Sequence, residues 1–305
     1  MTLSDYFSTV TLPQAAKPYP ALLDFLQRRF PRVPRASWER RLAGGKVRDA
    51  DGRPVTAGTS YVPGKIIRYL REVEREPVIP FAEKILFASA ELLVACKPHF
   101  LPVTPAGLYV NECLLHRLKK QTGNADLVPL HRIDRETAGL VLFSCNRATR
   151  GLYHDLFLHG RVEKTYQAVA LCPVQPQQSE WQVANRLAAG QPWFRMQTVQ
   201  GPANSFSSIR LLERKEKRGR FLLQPATGKK HQLRLHMSSL GFGLVNDRFY
   251  PELLPEAADD FQRPLQLLAQ TLRFRDPLTA KIMEFHSERR LLWEEPGERQ
   301  VCPGL

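Results

Sequence analysis

The sequence predicts an α+β fold in which helices flank a mixed, largely antiparallel sheet, with a small helix-helix-hairpin domain in front of it. Short β-prone runs at residues 92–96 and 165–171 indicate buried strands. Residues 149–158 instead place their large apolar side chains on one side of a helix. A chain of 305 residues, 43% hydrophobic and 24% charged, is long enough for one large domain and one smaller one.

The small domain is predicted at residues 1–76. Its first helix follows Pro20 and has an apolar face made of Leu22, Leu23, Phe25 and Leu26. A second helix follows Pro34, and the Asp-Gly pair at 51–52 is a tight-turn signal between two short strands. The acidic, proline-bounded segment 72–80 is the predicted linker.

The large domain is predicted at residues 77–305. After the strand at 92–96, Asn111 is expected to cap a helix, and the basic stretch 214–220 is expected to form a hairpin tip. The loop that starts at Thr227 enters a helix that ends before Gly241. The remaining strands are expected at residues 206–212, 221–224 and 265–274.

The charge of the chain points to a polyanionic partner. The net charge is +14, and residues 1–76 alone carry 14 Lys and Arg against 8 Asp and Glu, a net of +6. Such a balance favours nucleic acid first and a membrane surface second. The five cysteines form no C-x-x-C pair, and no apolar run reaches the length of a membrane span. We therefore expect reduced thiols, a cytoplasmic location and no membrane association.

The segment 131–140, His-Arg-Ile-Asp-Arg-Glu-Thr-Ala-Gly-Leu, runs directly into an apolar strand. Such a loop delivers polar side chains to the edge of a sheet, although the same composition fits a charged turn that only faces solvent. Asp134 lies between Arg132 and Arg135, and a carboxylate held by arginines stays ionised, which suits a nucleophile.

Other chemistries lack their motifs. There is no glycine-rich phosphate loop for a nucleotide. His231 and His236 are five residues apart, which is not the i, i+4 spacing of two ligands on one helical face. We therefore expect neither a cofactor nor a metal.

Four segments together resemble the RluA-type RNA pseudouridine synthases. They are the loop 131–140, the Lys-Thr-Tyr strand at 164–166, the segment Thr-Gly-Lys-Lys-His-Gln-Leu-Arg-Leu-His at 227–236, and Asn-Asp-Arg-Phe-Tyr at 246–250. The departures from the family pattern are Ile133 for Leu, Ala138 for Ser, Lys229 for Arg and Asn246 for Gly. None of them removes a group that does chemistry, although Lys229 lacks the forked geometry of arginine.

The resemblance implies the pseudouridine synthase fold and a set of roles. Asp134 is implied to be the catalytic aspartate, attacking the uracil ring or the ribose carbon. Tyr166 packs against the target base and accepts or relays the ring proton, and Arg234 pairs with Asp134. Arg132 enters the RNA helix where the flipped uridine has left the stack.

Further RNA contacts are expected from both domains. His131, Lys229 and Lys230 belong to the family motifs. The small domain resembles the RNA-binding domain named after a protein of the small ribosomal subunit, which implies RNA contacts by Arg40, Arg41 and Lys46. The implied partner is structured ribosomal or transfer RNA, modified by a monomeric enzyme.

Two alternatives remain open. One is a non-catalytic RNA-binding or ribosome-assembly protein that uses the same fold only to bind. The other is a glycoside hydrolase using Asp134 and Glu136, which is weak because two residues this close on one loop rarely present opposed carboxylates.

Overall fold

The computed structural model describes residues 2–14, 19–31 and 33–293. They fall into two compact units. The first comprises the described part of Met1–Val78 together with Pro105–His116, and the second comprises Ile79–Thr104 and the described residues from Arg117 onward. The first unit thus extends past residue 76 and includes a segment that the sequence analysis placed in the large domain. Every helix among the described residues is too short or too polar to traverse a bilayer.

The first unit combines two helices with short strands. In chain order its elements are β1 (Thr2–Leu3), β2 (Ser8–Thr11), α1 (Leu22–Arg29), α2 (Arg35–Ala43), β3 (Val47–Asp49), β4 (Ile66–Tyr69) and β5 (Glu72–Val73). Strands β2, β4 and β3 form an antiparallel sheet in that order, and β1 pairs with β5. Both predicted helices are present, and their apolar faces share one core with the sheet, including Leu26, Trp38 and Ile67.

The predicted hairpin around residues 51–52 is only partly correct. The turn forms, with Gly52 at a φ of 85°. Among the described residues that follow, a single isolated bridge joins Pro54 to Arg48, and β3 pairs instead with β4. Pro54 has no amide hydrogen, so it cannot donate to a strand ladder.

Two other local expectations are also wrong. The predicted linker begins inside the first unit, because Glu72–Val73 form β5 and pair with β1. Asn111 does not cap a helix with its side chain. Its Nδ2 donates to the carbonyl of Leu3 (2.9 Å) and its Oδ1 accepts from the amide of Asp5 (2.8 Å). These polar groups found partners far away in sequence, which local patterns do not encode.

The second unit is built on one large mixed sheet. Helix α3 (Leu114–Thr122) has its first three residues in the first unit and the others in the second. The remaining elements are β6 (Lys84–Ala88), β7 (Leu92–Lys97), β8 (Val128–Pro129), β9 (Ala138–Ser144), α4 (Arg150–Leu158), β10 (Glu163–Leu171), β11 (Glu180–Ala189), β12 (Met196–Val199), β13 (Ser205–Lys215), β14 (Arg218–Pro225), α5 (Gln232–Ser239), β15 (Leu267–Arg275) and β16 (Ile282–His286). The strand order is β12-β11-β13-β14-β10-β15-β9-β7-β6, with β16 beside β15 and β8 beside β9. Strands β9 and β15 are parallel, whereas the other strand pairs among the described residues are antiparallel, so the predicted fold class is confirmed.

Each helix of this unit covers a different part of the sheet. Tyr153 and Leu156 of α4 pack into a cluster with residues of β7, β9 and β15. Leu233 and Met237 of α5 pack with residues of β10, β13 and β14. Fully burying one such leucine stabilises the fold by about 1.5–3 kcal/mol, so these apolar faces hold each helix against its part of the sheet.

At the centre of the sheet, β15 lies between β9 and β10. Ala269 of β15 pairs with Gly139 on one side and with Tyr166 on the other. Gly139 has a φ of 113°, and a Cβ there would lie 2.2 Å from the carbonyl oxygen of Ala269, so only glycine fits. The loop before β9 therefore ends one strand away from Tyr166.

Candidate active site

The loop that carries Asp134 lies between β8 and β9 and is closed by hydrogen bonds at both ends. The amide of Thr137 donates to the carbonyl of Asp134 (3.1 Å). At its start, His131 Nε2 accepts from the amide of Leu142 (3.1 Å), and its ring stacks on Phe157 at 4.7 Å. Burial lowers the pKa of His131 to about 3, so the ring is a neutral acceptor. His131, expected to contact RNA, holds the loop to β9.

Lys97, the last residue of β7, and His99 bind the backbone carbonyls of the same loop. We call these two side chains the carbonyl clamp. Lys97 is fully buried, and its Nζ donates to the carbonyls of Pro98 (2.9 Å), Leu101 (2.6 Å) and Arg135 (3.0 Å). His99 Nδ1 lies 2.6 Å from the carbonyl oxygen of Glu136. Burial lowers the pKa of His99 to about 4, so a neutral imidazole donates this bond. The two carbonyls that follow Asp134 are thereby fixed.

The side chain of Arg135 anchors the loop from another direction. Its guanidinium makes two bonds to the carboxylate of Asp259, at 2.7 and 2.9 Å, and its Nε donates to Glu136 (3.1 Å). Arg132, by contrast, is exposed and makes no hydrogen bond or ion pair with any described residue. The expectation that these two flanking arginines hold Asp134 is therefore wrong, because Arg135 is committed to Asp259 and Arg132 faces outward.

The cation that faces Asp134 is Arg234 of α5. It is 1% exposed and forms a two-bond pair with Asp247, at 2.8 Å from Nε and 2.6 Å from Nη2. Its remaining nitrogen, Nη1, lies 3.5 Å from Asp134 Oδ2 and 3.6 Å from Glu136 Oε2. This nitrogen makes no hydrogen bond within the described part of the chain. One guanidinium thus serves three carboxylates.

Electrostatics keep Arg234 charged despite its burial. Burial alone disfavours the guanidinium, but the hydrogen bonds and charge of Asp247, together with the charges of Asp134 and Glu136, leave the pKa of Arg234 above its ordinary value. Asp247 Oδ1 also accepts from the amides of Phe249 (2.8 Å) and Tyr250 (3.2 Å). Asp247 is therefore fully occupied and fixes the orientation of Arg234.

Tyr166 of β10 reaches the neighbourhood of Asp134 from the sheet. The register of β10 against β15 shifts between Thr165 and Tyr166, which is the geometry of a β-bulge. Burial, and then the charge of Asp134, raises the pKa of Tyr166 above its ordinary value. Its side chain is therefore a neutral phenol that can donate a hydrogen bond.

The two histidines of the segment 227–236 have separate partners. His231 Nδ1 lies 3.0 Å from the hydroxyl of Tyr250, and its Nε2 lies 4.0 Å from Asp134 Oδ1. Burial, followed by the charge of Arg234, lowers the pKa of His231 to about 3, so the ring is neutral. His236 Nε2 instead lies near Ser205 and Asn185. Among the described residues no cluster of side chains is arranged to hold a metal ion.

The residues predicted to contact RNA are placed in different ways. Lys229 and Lys230 are exposed beside the site residues of α5. In the first unit Arg40 is exposed and donates to Ser37. Arg41 is 7% exposed and pairs with Glu72 (3.1 Å), whose second oxygen pairs with Lys46 (2.6 Å). Burial and this pairing argue against direct RNA contact by Arg41.

The structure places Arg234 Nη1 3.5 Å from Asp134, and Tyr166 lies on β10, one strand away from the end of the Asp134 loop. Sequence reasoning missed Asp247, His231 and the carbonyl clamp. Asp247 could have been found, since it stands in one of the four quoted segments next to an aromatic pair. The clamp left no pattern, because its contacts are to backbone carbonyls.

Comparison with known proteins agrees with this geometry. The family model described as RNA pseudouridylate synthase matches residues 91–239. Among curated proteins, the dual-specificity RNA pseudouridine synthase RluA of Haemophilus influenzae is 28% identical over 222 residues, which cover 70% of this chain and 95% of that protein. The ribosomal large subunit pseudouridine synthase D of Vibrio vulnificus is 27% identical over 267 residues, covering 81% and 80% respectively.

A solved structure shares the fold. Human RNA Pseudouridylate Synthase Domain Containing 1 superimposes with a TM-score of 0.57 at 24% identity, over 70% of this chain and 86% of that one. The order of the four sequence segments, the fold and these matches lead to one conclusion. The chain is similar to the RluA-type RNA pseudouridine synthases in its motifs, its fold and most of its length.

Proposed function

We propose that this protein converts specific uridines of structured RNA to pseudouridine, with Asp134 as the catalytic nucleophile. One observation carries the proposal. The carboxylate of Asp134 stands on a loop fixed by the carbonyl clamp, and it faces a buried guanidinium nitrogen that makes no hydrogen bond among the described residues. A fixed carboxylate that faces a fixed cation is what electrostatic preorganisation requires.

The reaction rearranges bonds without changing composition. The bond between ribose C1′ and uracil N1 breaks, a bond between C1′ and C5 forms, the proton on C5 leaves, and N1 gains a proton. Asp134 starts this sequence by attacking either the uracil ring or C1′ of the ribose, and the covalent bond it forms is released again later. Both routes need an ionised carboxylate aimed at the nucleoside.

Arg234 and Tyr166 have distinct tasks in this scheme. Arg234 keeps negative charge on Asp134 inside a site from which the RNA excludes water, where a charge pair is stronger than in solution. Tyr166 packs against the target base. Because its phenol is neutral, it accepts the C5 proton only while passing on its own, so it acts as a relay.

The target base must leave the RNA helix to reach Asp134. The Asp134 side chain is 23% exposed, so a base inside a stacked duplex cannot approach it closely. Flipping costs a few kcal/mol, which other RNA contacts must supply. Exposed Arg132 takes the place of the flipped base, and the exposed Lys229 and Lys230 contact phosphates.

Ribosomal RNA is the first substrate to test. One relative is named for the large ribosomal subunit. Transfer RNA, the other class that the sequence resemblance implies, is the second. We propose a cytoplasmic location and a monomeric enzyme. The first unit adds RNA affinity through its net positive charge, with Arg40 as an exposed contact.

The test compares wild-type protein with Asp134→Asn on unmodified ribosomal and transfer RNA, with pseudouridine measured by nucleoside mass spectrometry. We expect Asp134→Asn to form no pseudouridine while it retains RNA affinity and thermal stability, because the side chain keeps its shape. Asp155→Asn, an exposed acid on α4, is the matched control and should behave as wild type. Turnover by Asp134→Asn would reject the nucleophile. If wild-type protein binds RNA but modifies none, the non-catalytic RNA-binding protein becomes the better reading.

A further inference from the structure

The turn between β11 and β12 carries an exposed aromatic side chain beside the site. We call residues 190–195 the aromatic tip. Its Trp193 is 59% exposed. A lone exposed apolar side chain is ordinary on a protein surface, so the position of this one decides its meaning.

The aromatic tip is held in place by Tyr250 and Pro251, which closely follow Asp247, the partner of Arg234. The amide of Gly190 donates to the carbonyl of Arg195 (3.0 Å), which closes the turn. Arg195 donates to the carbonyl of Pro251 (3.1 Å) and lies over the ring of Tyr250 at 5.0 Å. The amide of Met196 donates to the Tyr250 hydroxyl (2.7 Å). Trp193 is therefore presented from a fixed turn.

A continuous line of aromatic contacts joins the exposed indole to the catalytic cluster. The ring of Trp193 meets Phe194 edge-on at 5.7 Å, and Phe194 meets Phe249 at 5.3 Å. The guanidinium of Arg234 lies 4.8 Å from the centre of the Phe249 ring. Trp193 thus stands at the outer end of a row whose inner end faces Asp134.

Positive charge accompanies the indole. Lys230 Nζ lies 5.7 Å from the centre of the Trp193 ring. The same lysine is exposed and directly precedes His231, whose Nε2 lies 4.0 Å from Asp134 Oδ1, so it lies at the edge of the site. A flat aromatic surface next to an ammonium group is the combination that binds single-stranded nucleic acid, since the ring stacks on a base and the cation attracts phosphate.

We propose that Trp193 stacks on an unpaired nucleobase next to the flipped uridine, while Lys230 contacts the adjoining phosphate. The proposal rests on the proposed function, because it needs RNA in the Asp134 site. Flipping one base leaves its neighbour without a stacking partner on that side, and the indole supplies a replacement. Trp193 thereby helps to select targets whose flanking base is free to leave a helix.

The test measures affinity for a labelled single-stranded oligouridylate at several salt concentrations. Stacking on one aromatic ring accounts for about 5- to 150-fold in affinity, so Trp193→Ala should weaken binding by that amount and Trp193→Phe should restore most of it. The slope of affinity against salt should not change, because an indole releases no counterions, whereas Lys230→Gln should flatten it. Leu158→Ala, which truncates another exposed apolar residue, is the control.

Tryptophan fluorescence gives a second measurement. RNA should quench the emission of wild-type protein, and Trp193→Phe should lose that quenching. Wild-type affinity in Trp193→Ala would overturn the stacking role. If wild-type enzyme forms pseudouridine with the same KM as Trp193→Ala, the stacking role alone fails. If wild-type enzyme forms none, the proposed function fails, while weaker binding by Trp193→Ala still supports the stack.

Discussion

Arg41 in the first unit and Arg234 in the second are both buried and both pair with a carboxylate, yet their surroundings differ in charge balance. Around Glu72, two cations, Arg41 and Lys46, share one carboxylate. Around Arg234, three carboxylates share one guanidinium. The first arrangement leaves no acidic group available for chemistry. The second leaves Asp134 only partly neutralised, as a nucleophile requires.

The two clusters also differ in how their hydrogen bonds are used. Arg41 donates to the Glu72 side chain (3.1 Å) and to its carbonyl (3.4 Å), and its guanidinium lies over the ring of Trp38 at 4.9 Å. Arg234 leaves Nη1 without a hydrogen bond among the described residues, although the atom is buried. That nitrogen is instead directed at the carboxylates of Asp134 and Glu136, at 3.5 and 3.6 Å. The comparison separates a stabilising cluster from a functional one.

Asp247→Asn should have the largest effect. The substitution keeps the shape of the side chain but removes the charge that orients Arg234, which then turns toward Asp134 and neutralises it. We expect kcat in single-turnover pseudouridine formation to fall by about 10²- to 10³-fold, the range for losing one preorganised electrostatic partner, with little change in KM. Asp155→Asn serves again as the control. A purely structural role for Asp247 predicts instead a lower melting temperature with kcat preserved.

Arg41→Met should have a smaller effect, and on stability rather than chemistry. Removing one partner of a buried ion pair costs about 1–3 kcal/mol where another cation, here Lys46, still holds the carboxylate. Urea unfolding should show this loss, while kcat and the salt slope of RNA affinity stay as in wild type. The matched change Arg40→Met, at an exposed position, should leave the free energy of unfolding unchanged. A flattened salt slope in Arg41→Met without a stability loss would return Arg41 to the RNA-binding set.

The same contrast shows what sequence can predict. Helices α1 and α2 follow from apolar spacing and their flanking prolines, and β7 and β9 from continuous apolar runs buried on both faces. Strand β11 was missed because Gln182, Asn185 and Arg186 interrupt its apolar residues and only Leu187 is buried, so it shows no continuous apolar run. Whether Arg41 faces solvent or Glu72 depends on β5 pairing with β1, a long-range contact.

The sequence predicts the candidate site residues that are proposed to act directly on the nucleoside. Asp134, Tyr166 and Arg234 come from three separate segments, and the resemblance supplied their roles. Their support was not predictable, because the carbonyl clamp acts on backbone atoms and Asp259 is 124 residues from the Arg135 it holds. Patterns along the chain predict the proposed reacting groups better than the groups that position them.

Lys97 is a third buried cation to set beside Arg41 and Arg234. All three hydrogens of its ammonium group are hydrogen-bonded, as in a structural cation, yet it lies next to the candidate site. Burial lowers its pKa from 10.5 to about 7. From about pH 7 up to the ordinary value, the unfolded chain binds this proton and the folded chain does not, so the free energy of unfolding should rise with pH by at most about 1.4 kcal/mol per unit. Below that range both states are protonated and the contribution is flat.

The rate of pseudouridine formation should fall as pH rises over the same range, opposite to the free energy of unfolding. A neutral amine has two hydrogens for the three carbonyls that Lys97 holds, so its grip on the Arg135 carbonyl weakens as pH rises. Wild-type kcat should therefore fall with pH while stability rises, and Lys97→Met should lose both dependences. Lys84→Met, at an exposed lysine, should retain them. Urea unfolding and single-turnover rates from about pH 7 to about pH 9 measure the two slopes. Parallel slopes would show that Lys97 only stabilises the fold, as Arg41 does; opposed slopes would show that a fully bonded buried cation positions the nucleophile.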